Sequence, residues 1–254
     1  MIVCKTESEL AAMRVSGRIA AGILQRLAAA VVPGMTTREL DELARELILA
    51  RGATSAFLGY RGAGGAVLFP GAICVSVNEE VIHGIPGPRR IESGDLVSID
   101  VGVKHEGFIG DTATTVIVGA ASPDGERLTA TTRRALEAGI AAVRAGAHLS
   151  DVSSAVEQTV RAGGCRVVRE FVGHGVGREL HEEPQVPNYG KPGHGPLLKP
   201  GMTFCIEPMV NLGGAEVEIL ADKWTVVTRD RRLSAHFEHT VCVCADGAEI
   251  MTLV

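Results

Sequence analysis

The spacing of apolar residues predicts two helices within the first fifty residues. Between residues 7 and 31, apolar side chains recur at near-helical spacing, and Pro33-Gly34 ends the pattern. These apolar positions include Leu10, Met13, Ile19, Ile23 and Leu27. A second helix is predicted to begin at Thr36, because a threonine followed three residues later by Glu39 forms a capping box. This helix is predicted to end near Arg51-Gly52.

Short strands are predicted after a glycine-rich loop at residues 59–71. The runs ICVSV, DLVSIDVGV and TATTVIVG, at 73–77, 95–103 and 112–119, have the apolar and alternating character of strands. Helical spacing returns over residues 124–164, in two pieces separated near Gly146. The remainder of the chain is rich in β-type runs and glycine turns. This order predicts an α+β fold.

A weak internal repeat relates the two halves of the chain. In each half, a glycine turn leads into an amphipathic helix that ends on another glycine. The matched positions, at one constant offset, are Gly34, Leu40 and Gly52 in the first half and Gly146, Val152 and Gly164 in the second. Coincidence is the alternative explanation. If the repeat is real, it predicts a pseudo-two-fold fold whose two α+β halves meet near residue 120, with a ligand site between them. Because no linker separates the halves, residues 1–254 are expected to form a single catalytic domain.

Composition and charge narrow the classes of function. The formal charge is −5 and the basic residues are scattered, which argues against a specific nucleic-acid partner. No apolar run reaches the length of a membrane span, and the N-terminal sequence lacks the pattern of a signal peptide, so a cytoplasmic location is expected. None of the six cysteines forms a pair with zinc-knuckle spacing, so we expect them to be reduced and packed as small apolar side chains.

Two aspartates interrupt the strands predicted in the middle of the chain. Asp100 follows the run LVSI, where a buried strand would otherwise continue apolar, and Asp111 precedes the next strand. A short hairpin through His105-Glu106-Gly107 would place both carboxylates on neighbouring strands, where their side chains can converge.

Three further polar residues lie in apolar or glycine-rich surroundings. His174 stands in GHGVG, Glu207 in FCIEP and Glu238 in HFEHT. Taken singly, each could be a turn cap, an ion-pair partner or a structural residue, and spacing alone does not show that they meet. Buried carboxylates are costly without a partner, so four acids and one imidazole in such surroundings favour a cation. These donors suit Mn²⁺, Fe²⁺, Co²⁺ or Zn²⁺, and bridging carboxylates could hold two ions about 3.5–4 Å apart, an arrangement typical of hydrolases.

Five sequence blocks resemble those of one enzyme family, the bacterial-type (type I) methionine aminopeptidases. The blocks are VNEEVIHGIP at 77–86, IDVGVKHEGFIGDTA at 99–113, GHGVGRELHEEPQVPNYG at 173–190, GMTFCIEPMV at 201–210 and SAHFEHTV at 234–241. They occur in the family's order and cover nearly the whole chain. The resemblance implies the pseudo-symmetric pita-bread fold, with an antiparallel sheet core covered by helices, and two divalent metal ions. It also implies the metal ligands, which are Asp100, Asp111, His174, Glu207 and Glu238.

The resemblance also implies roles for the residues of the site. Asp111 and Glu238 would bridge the metals, and Glu207 would shuttle a proton to the leaving amine. His83 and His181 would donate hydrogen bonds to the scissile amide. The methionine side chain would lie in an apolar pocket, although these positions could equally be ordinary core. The pocket residues are Phe57, Tyr60, Phe69, Cys74, Leu180 and Trp224, with His83 and His181 beside them.

The chain departs from the family pattern around this pocket. About seven extra residues, roughly Gly62 to Leu68, are either a mobile lid or a plain loop insertion. Phe69 replaces a more common tyrosine, Leu180 stands where an aromatic residue often occurs, and His236 replaces an expected glutamine. The family also suggests a monovalent cation, Na⁺ or K⁺; the positions implied for it are Asn78 and Ser234.

The function implied is metal-dependent removal of the initiator methionine when the second residue is small. The partners would be nascent N-termini and the ribosome surface, with no specific nucleic acid and no membrane, and a monomer is expected. Two alternatives remain. An X-Pro aminopeptidase or prolidase shares the fold but carries a sizeable extra N-terminal domain, and a non-catalytic binding protein usually lacks one or more of the metal acids.

Overall fold

Four helices flank the sheets of the structure, a computed structural model that describes residues 1–62, 67–120 and 122–254. They are α1 (Glu7–Ala30), α2 (Thr37–Ala50), α3 (Pro123–Ala142) and α4 (Leu149–Ala162). All four lie where the apolar spacing predicted helices. In the described part of the chain, no helix combines the length and the hydropathy needed to cross a membrane.

The helix starts follow from side-chain capping. The capping box predicted at Thr36 is present, because its hydroxyl accepts from the Glu39 amide while the Glu39 side chain accepts from the Thr36 amide. A second box, formed by Thr6 and Glu9, begins α1 and was not predicted. Each box pairs amides that the first helical turn would otherwise leave unpaired.

A run of strands follows each pair of helices along the chain. They are β1 (Thr54–Ser55), β2 (Cys74–Val77), β3 (Glu80–Ile82), β4 (Leu96–His105), β5 (Phe108–Ile117), β6 (Arg166–Val167), β7 (Gly173–Gly175), β8 (Glu182–Val186), β9 (Thr203–Ile206), β10 (Met209–Asn211), β11 (Val217–Ile219), β12 (Val226–Thr228), β13 (Ser234–His236), β14 (Glu238–Val243) and β15 (Ala248–Ile250). The largest sheet among the described residues is antiparallel, in the order β1-β4-β5-β14-β9-β7-β8, with β2 added to β4 and β15 to β14. Two three-stranded sheets, β13-β10-β6 and β11-β12-β3, flank it. The predicted α+β fold, with its antiparallel sheet and covering helices, is confirmed.

The internal repeat predicted from the glycines is visible in the helices. Both ends of α4 lie 112 residues after those of α2, and α3 ends 112 residues after α1. The paired glycines have similar left-handed backbones, with φ of 92° at Gly34 and 81° at Gly146. Leu40 and Val152, the matched helix positions, are both fully buried. The two halves therefore use the same local structure to place a helix on the sheet.

Each helix pair covers its own part of the sheet. In one cluster, α1 and α2 bury residues such as Leu27 and Leu40 against Ile99 of β4. In another, α3 and α4 bury residues such as Val152 against Phe204 of β9. A third cluster contains aromatic residues and thiols near the middle of the sheet. The candidate site lies there.

Candidate metal centre

One row of side chains crosses the large sheet at Asp111. On β4 and β5, Asp111 lies opposite Gly102. On its other side, the Thr240 hydroxyl accepts from the Asp111 amide at 3.3 Å and donates to the Asp111 carbonyl at 2.8 Å. Thr240 pairs with Cys205 of β9, and the pairing of Gly175 with Phe204 brings His174 beside Cys205. The row therefore runs through four strands to a histidine.

A second row runs parallel to the first, two residues away along the strands. Cys74 pairs with Asp100, and Asp100 pairs with Ala113. Ala113 also pairs with Glu238, and the pairing of His239 with Ile206 places Glu207 next to Glu238. Because side chains two apart on a strand share a face, both rows point to the same side of the sheet. The small residues between the acids leave space above the sheet.

The polar groups of the two rows converge. One ligand atom from each of four residues lies within 4.8 Å of the others; the four are Asp111, His174, Cys205 and Glu238. The His174 Nε2 atom is 3.5 Å from Glu207 Oε1 and 3.8 Å from Asp111 Oδ2. The structure thus places the predicted ligands together and adds a thiol that the sequence reasoning did not select. Cys205 lies two residues before Glu207 in an apolar run, and the pairing of β9 with β14 is what shows which groups its side chain faces.

Four carboxylates in this centre each have a buried oxygen without a hydrogen-bond partner among the described residues. They belong to Asp100, Asp111, Glu207 and Glu238. Burial raises the pKa of Asp100 to about 7, and burial together with the neighbouring Asp100 raises the pKa of Asp111 well above its usual range. Unpaired oxygens and mutual repulsion are the conditions that a divalent cation relieves. The donor set of oxygen, nitrogen and one sulfur fits such an ion.

His174 is held in a form suited to binding a cation. Its Nδ1 atom lies 3.0 Å from the Gly175 carbonyl, which fixes the proton there and leaves the Nε2 lone pair facing the acids. Burial, and next the neighbouring His181, lower the pKa of His174 to about 3. The imidazole is therefore neutral at physiological pH, as a ligand requires.

The two outer histidines lie at the wall of the same cavity. His83 has a left-handed backbone, with φ of 57°, and its ring packs edge-on against Phe171 and Trp224. The His181 Nδ1 atom is 2.6 Å from the Tyr60 hydroxyl. Burial lowers the pKa of His83 to about 4 and lowers that of His181. Both rings are neutral near pH 7 and can each donate one hydrogen bond.

A cavity of about 500 Å³ opens above the two rows. Its walls include all eight residues predicted for substrate binding, and four of the predicted ligands, Asp100, Asp111, His174 and Glu207, also face it. The eight are Phe57, Tyr60, Phe69, Cys74, His83, Leu180, His181 and Trp224. Phe57 packs closely on Gly102: a Cβ atom added at Gly102 would lie 2.5 Å from the Phe57 ring. Sequence reasoning missed other wall residues, among them Ile82 and Phe171.

The departures from the expected pattern lie around this cavity. Buried His236 has its Nε2 atom 3.9 Å from Glu207 Oε2, and burial lowers the pKa of His236 to about 3. The ends of the predicted insertion are joined, since the Phe69 amide donates to the Tyr60 carbonyl at 2.9 Å. Residues 63–66 of that insertion lie outside the described residues, so the choice between lid and plain loop is untested.

The positions predicted for a monovalent cation are adjacent in space. The Ser234 amide donates to the Asn78 carbonyl at 2.8 Å, and Asn78 has a left-handed backbone with φ of 59°. The Asn78 side chain bonds Asp95 and the Leu96 amide, at 2.8 and 3.0 Å. The two residues implied for the monovalent cation are therefore neighbours in the fold, and the cation itself stays a prediction.

Comparison of the sequence with known proteins gives consistent matches along the whole chain. Residues 11–245 match the model of metallopeptidase family M24. Methionine aminopeptidase 1 of Bacillus subtilis is 48% identical over 254 residues, which is 100% of each chain. The methionine aminopeptidase of Escherichia coli K12 is 45% identical, covering 99% of this chain and 94% of that protein.

Solved structures extend these matches to the fold. A methionine aminopeptidase from Thermotoga maritima superposes with a TM-score of 0.96 at 45% identity, covering 100% of both chains. A prolidase from Pyrococcus furiosus superposes with a TM-score of 0.79 at 22% identity and covers 99% of this chain but 66% of its own. That second likeness concerns the fold alone, which the two kinds of peptidase share.

Proposed function

The chain belongs to metallopeptidase family M24, and we propose that it hydrolyses the peptide bond after an N-terminal methionine when the next residue is small. The observation that carries this proposal is the convergence, beside an apolar cavity, of His174 and four carboxylates that each have a buried oxygen without a partner among the described residues. The full-length similarity to methionine aminopeptidases supports it, whereas the likeness to prolidase is one of fold. The family implies divalent metal ions, and the fold is the pita-bread fold of these enzymes.

We propose that five side chains hold two divalent cations. The ligands would be Asp100, Asp111, His174, Glu207 and Glu238. The unpaired carboxylate oxygens and the neutral His174 support this assignment. Co²⁺, Mn²⁺, Fe²⁺ and Zn²⁺ all suit these donors. Bound cations would supply Lewis acidity and lower the pKa of water toward neutrality.

Three residues would move or hold protons during hydrolysis. Glu207 would accept a proton from the attacking water and pass it to the leaving amine, because its carboxylate lies beside His174 and burial raises its pKa. His83 and His181 would donate hydrogen bonds to the scissile amide and its developing oxyanion. Tyr60 supports this role through its hydrogen bond with His181. When the Tyr60 hydroxyl donates to His181 Nδ1, the imidazole proton of His181 is on Nε2, which is then the donor.

The apolar walls would select methionine. Removing such a side chain from water contributes about 1.5–3 kcal/mol, and the aromatic walls around Trp224 and Phe69 provide the surface. The free amine would lie near Asp100, so that only the first residue of a chain fits. A bulky second residue would collide with the wall beside the metals.

We also propose a domain organisation, a cellular location and partners for this activity. Residues 1–254 would act as one catalytic domain, because the large sheet joins strands from both sides of residue 120. The substrates would be nascent N-termini in the cytoplasm, with the ribosome surface as a partner and a monomer as the active form. A monovalent cation would lie near Asn78 and Ser234.

The test is hydrolysis of Met-Ala-Ser by chelator-stripped protein, with and without added Co²⁺, Mn²⁺ or Fe²⁺. Metal-dependent release of free methionine is expected, with little release from Met-Ile-Ser. Cleavage of an X-Pro peptide in place of Met-Ala-Ser would favour the prolidase alternative. No release with any metal would contradict the proposed activity and favour a binding role.

A further inference from the structure

Cys205 occupies the floor of the metal centre. It is fully buried and lies in the first row between Thr240 and His174. Since it is two residues before Glu207, its side chain shares the face of that acid. Its Sγ atom belongs to the group whose ligand atoms lie within 4.8 Å of one another, with Asp111, His174 and Glu238.

The contacts of this thiol differ from those of two other buried cysteines, Cys165 and Cys242. The fourth buried cysteine, Cys74, pairs with Asp100 at the far end of the second row. Cys205 Sγ is 3.5 Å from the Thr240 hydroxyl and within 4.8 Å of a carboxylate oxygen of Glu238. Cys242, on the neighbouring strand, instead lies 3.6 Å from the Val243 carbonyl, and Cys165 lies 3.7 Å from Arg127. The sulfur of Cys205 is the thiol that belongs to the convergent group, with Asp111 and Glu238, whose carboxylates each have a buried oxygen without a partner among the described residues.

We propose that Cys205 is a ligand for a thiophilic divalent cation, zinc or cadmium, together with Asp111, His174 and Glu238. One sulfur, one imidazole nitrogen and two carboxylate oxygens form a four-donor set of the kind that zinc binds tetrahedrally. On binding, the S–H bond breaks, the proton passes to solvent, and the sulfur electron pair bonds the cation. The inference rests on the proposed metal site but not on peptide hydrolysis.

Sulfur changes which ions the centre prefers. Thiolate is a soft donor that favours zinc and cadmium, whereas a centre of carboxylates and imidazole alone also suits manganese. Cys205 therefore biases this chain toward thiophilic ions and makes its centre sensitive to cadmium. The alternative is that Cys205 is a packing residue of the core and not a ligand.

The decisive measurement is the near-ultraviolet absorption of chelator-stripped protein titrated with Cd²⁺. A thiolate-to-cadmium charge-transfer band is expected in the wild type and in Cys4→Ser, which removes the exposed thiol. The band should disappear in Cys205→Thr, whose hydroxyl can keep the contact with Thr240. Cys205→Ala is the second variant if threonine disturbs the fold, and circular dichroism checks both.

Competition titration gives an independent readout. Cys205→Thr should weaken Cd²⁺ binding at least about tenfold and change Mn²⁺ binding much less. An unchanged band in Cys205→Thr, or a band lost only in Cys74→Ser, would overturn the inference. If Mn²⁺ binds and Met-Ala-Ser is cleaved while no sulfur band forms, the inference alone fails. If the wild type binds no divalent ion at all, the proposed metal site fails with it.

Discussion

Asp100 illustrates how burial acts on an acid of this centre. One of its carboxylate oxygens has no hydrogen-bond partner among the described residues, and desolvation raises its pKa from 3.8 to about 7. The folded protein therefore binds this proton more tightly than the unfolded chain does. Protonated Asp100 stabilises the fold below about pH 4, and this contribution is lost as the pH rises through about 7.

Asp100→Asn should therefore stabilise the metal-free protein at alkaline pH. Asparagine does not ionise, so the variant avoids a buried charge, and its advantage over the wild type should reach the order of 4 kcal/mol at pH 8. Urea unfolding in the presence of a chelator, at pH 4 and at pH 8, measures the difference. The exposed Asp246→Asn should show no such change between the two pH values. An advantage of Asp100→Asn that is equal at both pH values would contradict the prediction.

Asp111→Asn should remove metal and activity together. The amide has one oxygen donor in place of two and no charge, so it cannot bridge two cations. Loss of several kcal/mol of electrostatic stabilisation corresponds to a fall in activity on Met-Ala-Ser of about a hundredfold or more. Metal analysis of the purified variant accompanies the assay, with Asp246→Asn as the control. Full activity with full metal content would remove Asp111 from the site.

At the residue scale, the sequence predicted the acids and histidines but not every neighbour. Asp100 and Asp111 were conspicuous because a carboxylate interrupts an apolar run, and the family blocks supplied their partners. Cys205 was not selected because a cysteine in an apolar run is equally typical of core. Only the register between β9 and β14 reveals what it faces.

Helix α1 depends on glycine for its close approach to the sheet. A Cβ at Gly17 would lie 2.2 Å from the Met251 carbonyl oxygen, and one at Gly110 of β5 would lie 2.6 Å from Gly17. Because both obstacles are backbone, no rotamer change can relieve them. Gly22, on the same helix, has nothing within 4 Å of such a Cβ.

Gly17→Ala and Gly22→Ala should therefore have opposite effects on stability. Gly17→Ala forces α1 away from the backbone at Met251 and should cost about 1–3 kcal/mol or more. Gly22→Ala reduces the freedom of the unfolded chain and should add about 0.5–1 kcal/mol. Urea unfolding of both variants at the same metal content measures the two values. Equal changes in the free energy of unfolding would show that close packing at Gly17 does not hold α1 in place.

At the element scale, long periodic segments were predictable and short strands were not. The four helices and the β4–β5 hairpin have enough residues to show their periods. Strands β7 and β13 have three residues each, too few for a pattern, and long-range pairing alone defines them. The capping box at Thr6 was not predicted, because Thr6 and Glu9 both precede Leu10, the first position of the apolar spacing.

In the molecule as a whole, strands from both halves supply the centre. Asp100 and Asp111 come from β4 and β5, while His174, Glu207 and Glu238 come from after residue 120. The glycine repeat allowed this two-fold arrangement to be predicted. The order of strands within the sheet could not be predicted from the sequence, because pairs such as β5 with β14 are set by packing between distant segments.

Saturating Mn²⁺ or Co²⁺ should stabilise the chelator-stripped protein. A ligand present at a hundred times its dissociation constant adds about 2.7 kcal/mol, which for a chain of this size raises the unfolding midpoint by about 5–10 °C. Thermal unfolding followed by circular dichroism measures the shift, and Asp111→Asn should lose most of it. Mg²⁺, which prefers an octahedral set of oxygens, serves as the comparison ion.

The division of the ligands between the halves also dictates the order of events in time. Thr240 must meet Asp111, 129 residues earlier in the chain, before the acids and His174 can face one another. While the chain is being synthesised, its first half can present at most two of the five ligands. On the proposed assignment of ligands, high-affinity binding of metal would be complete only once the sheet has joined the two halves, so a copy whose second half is still being synthesised would be inactive.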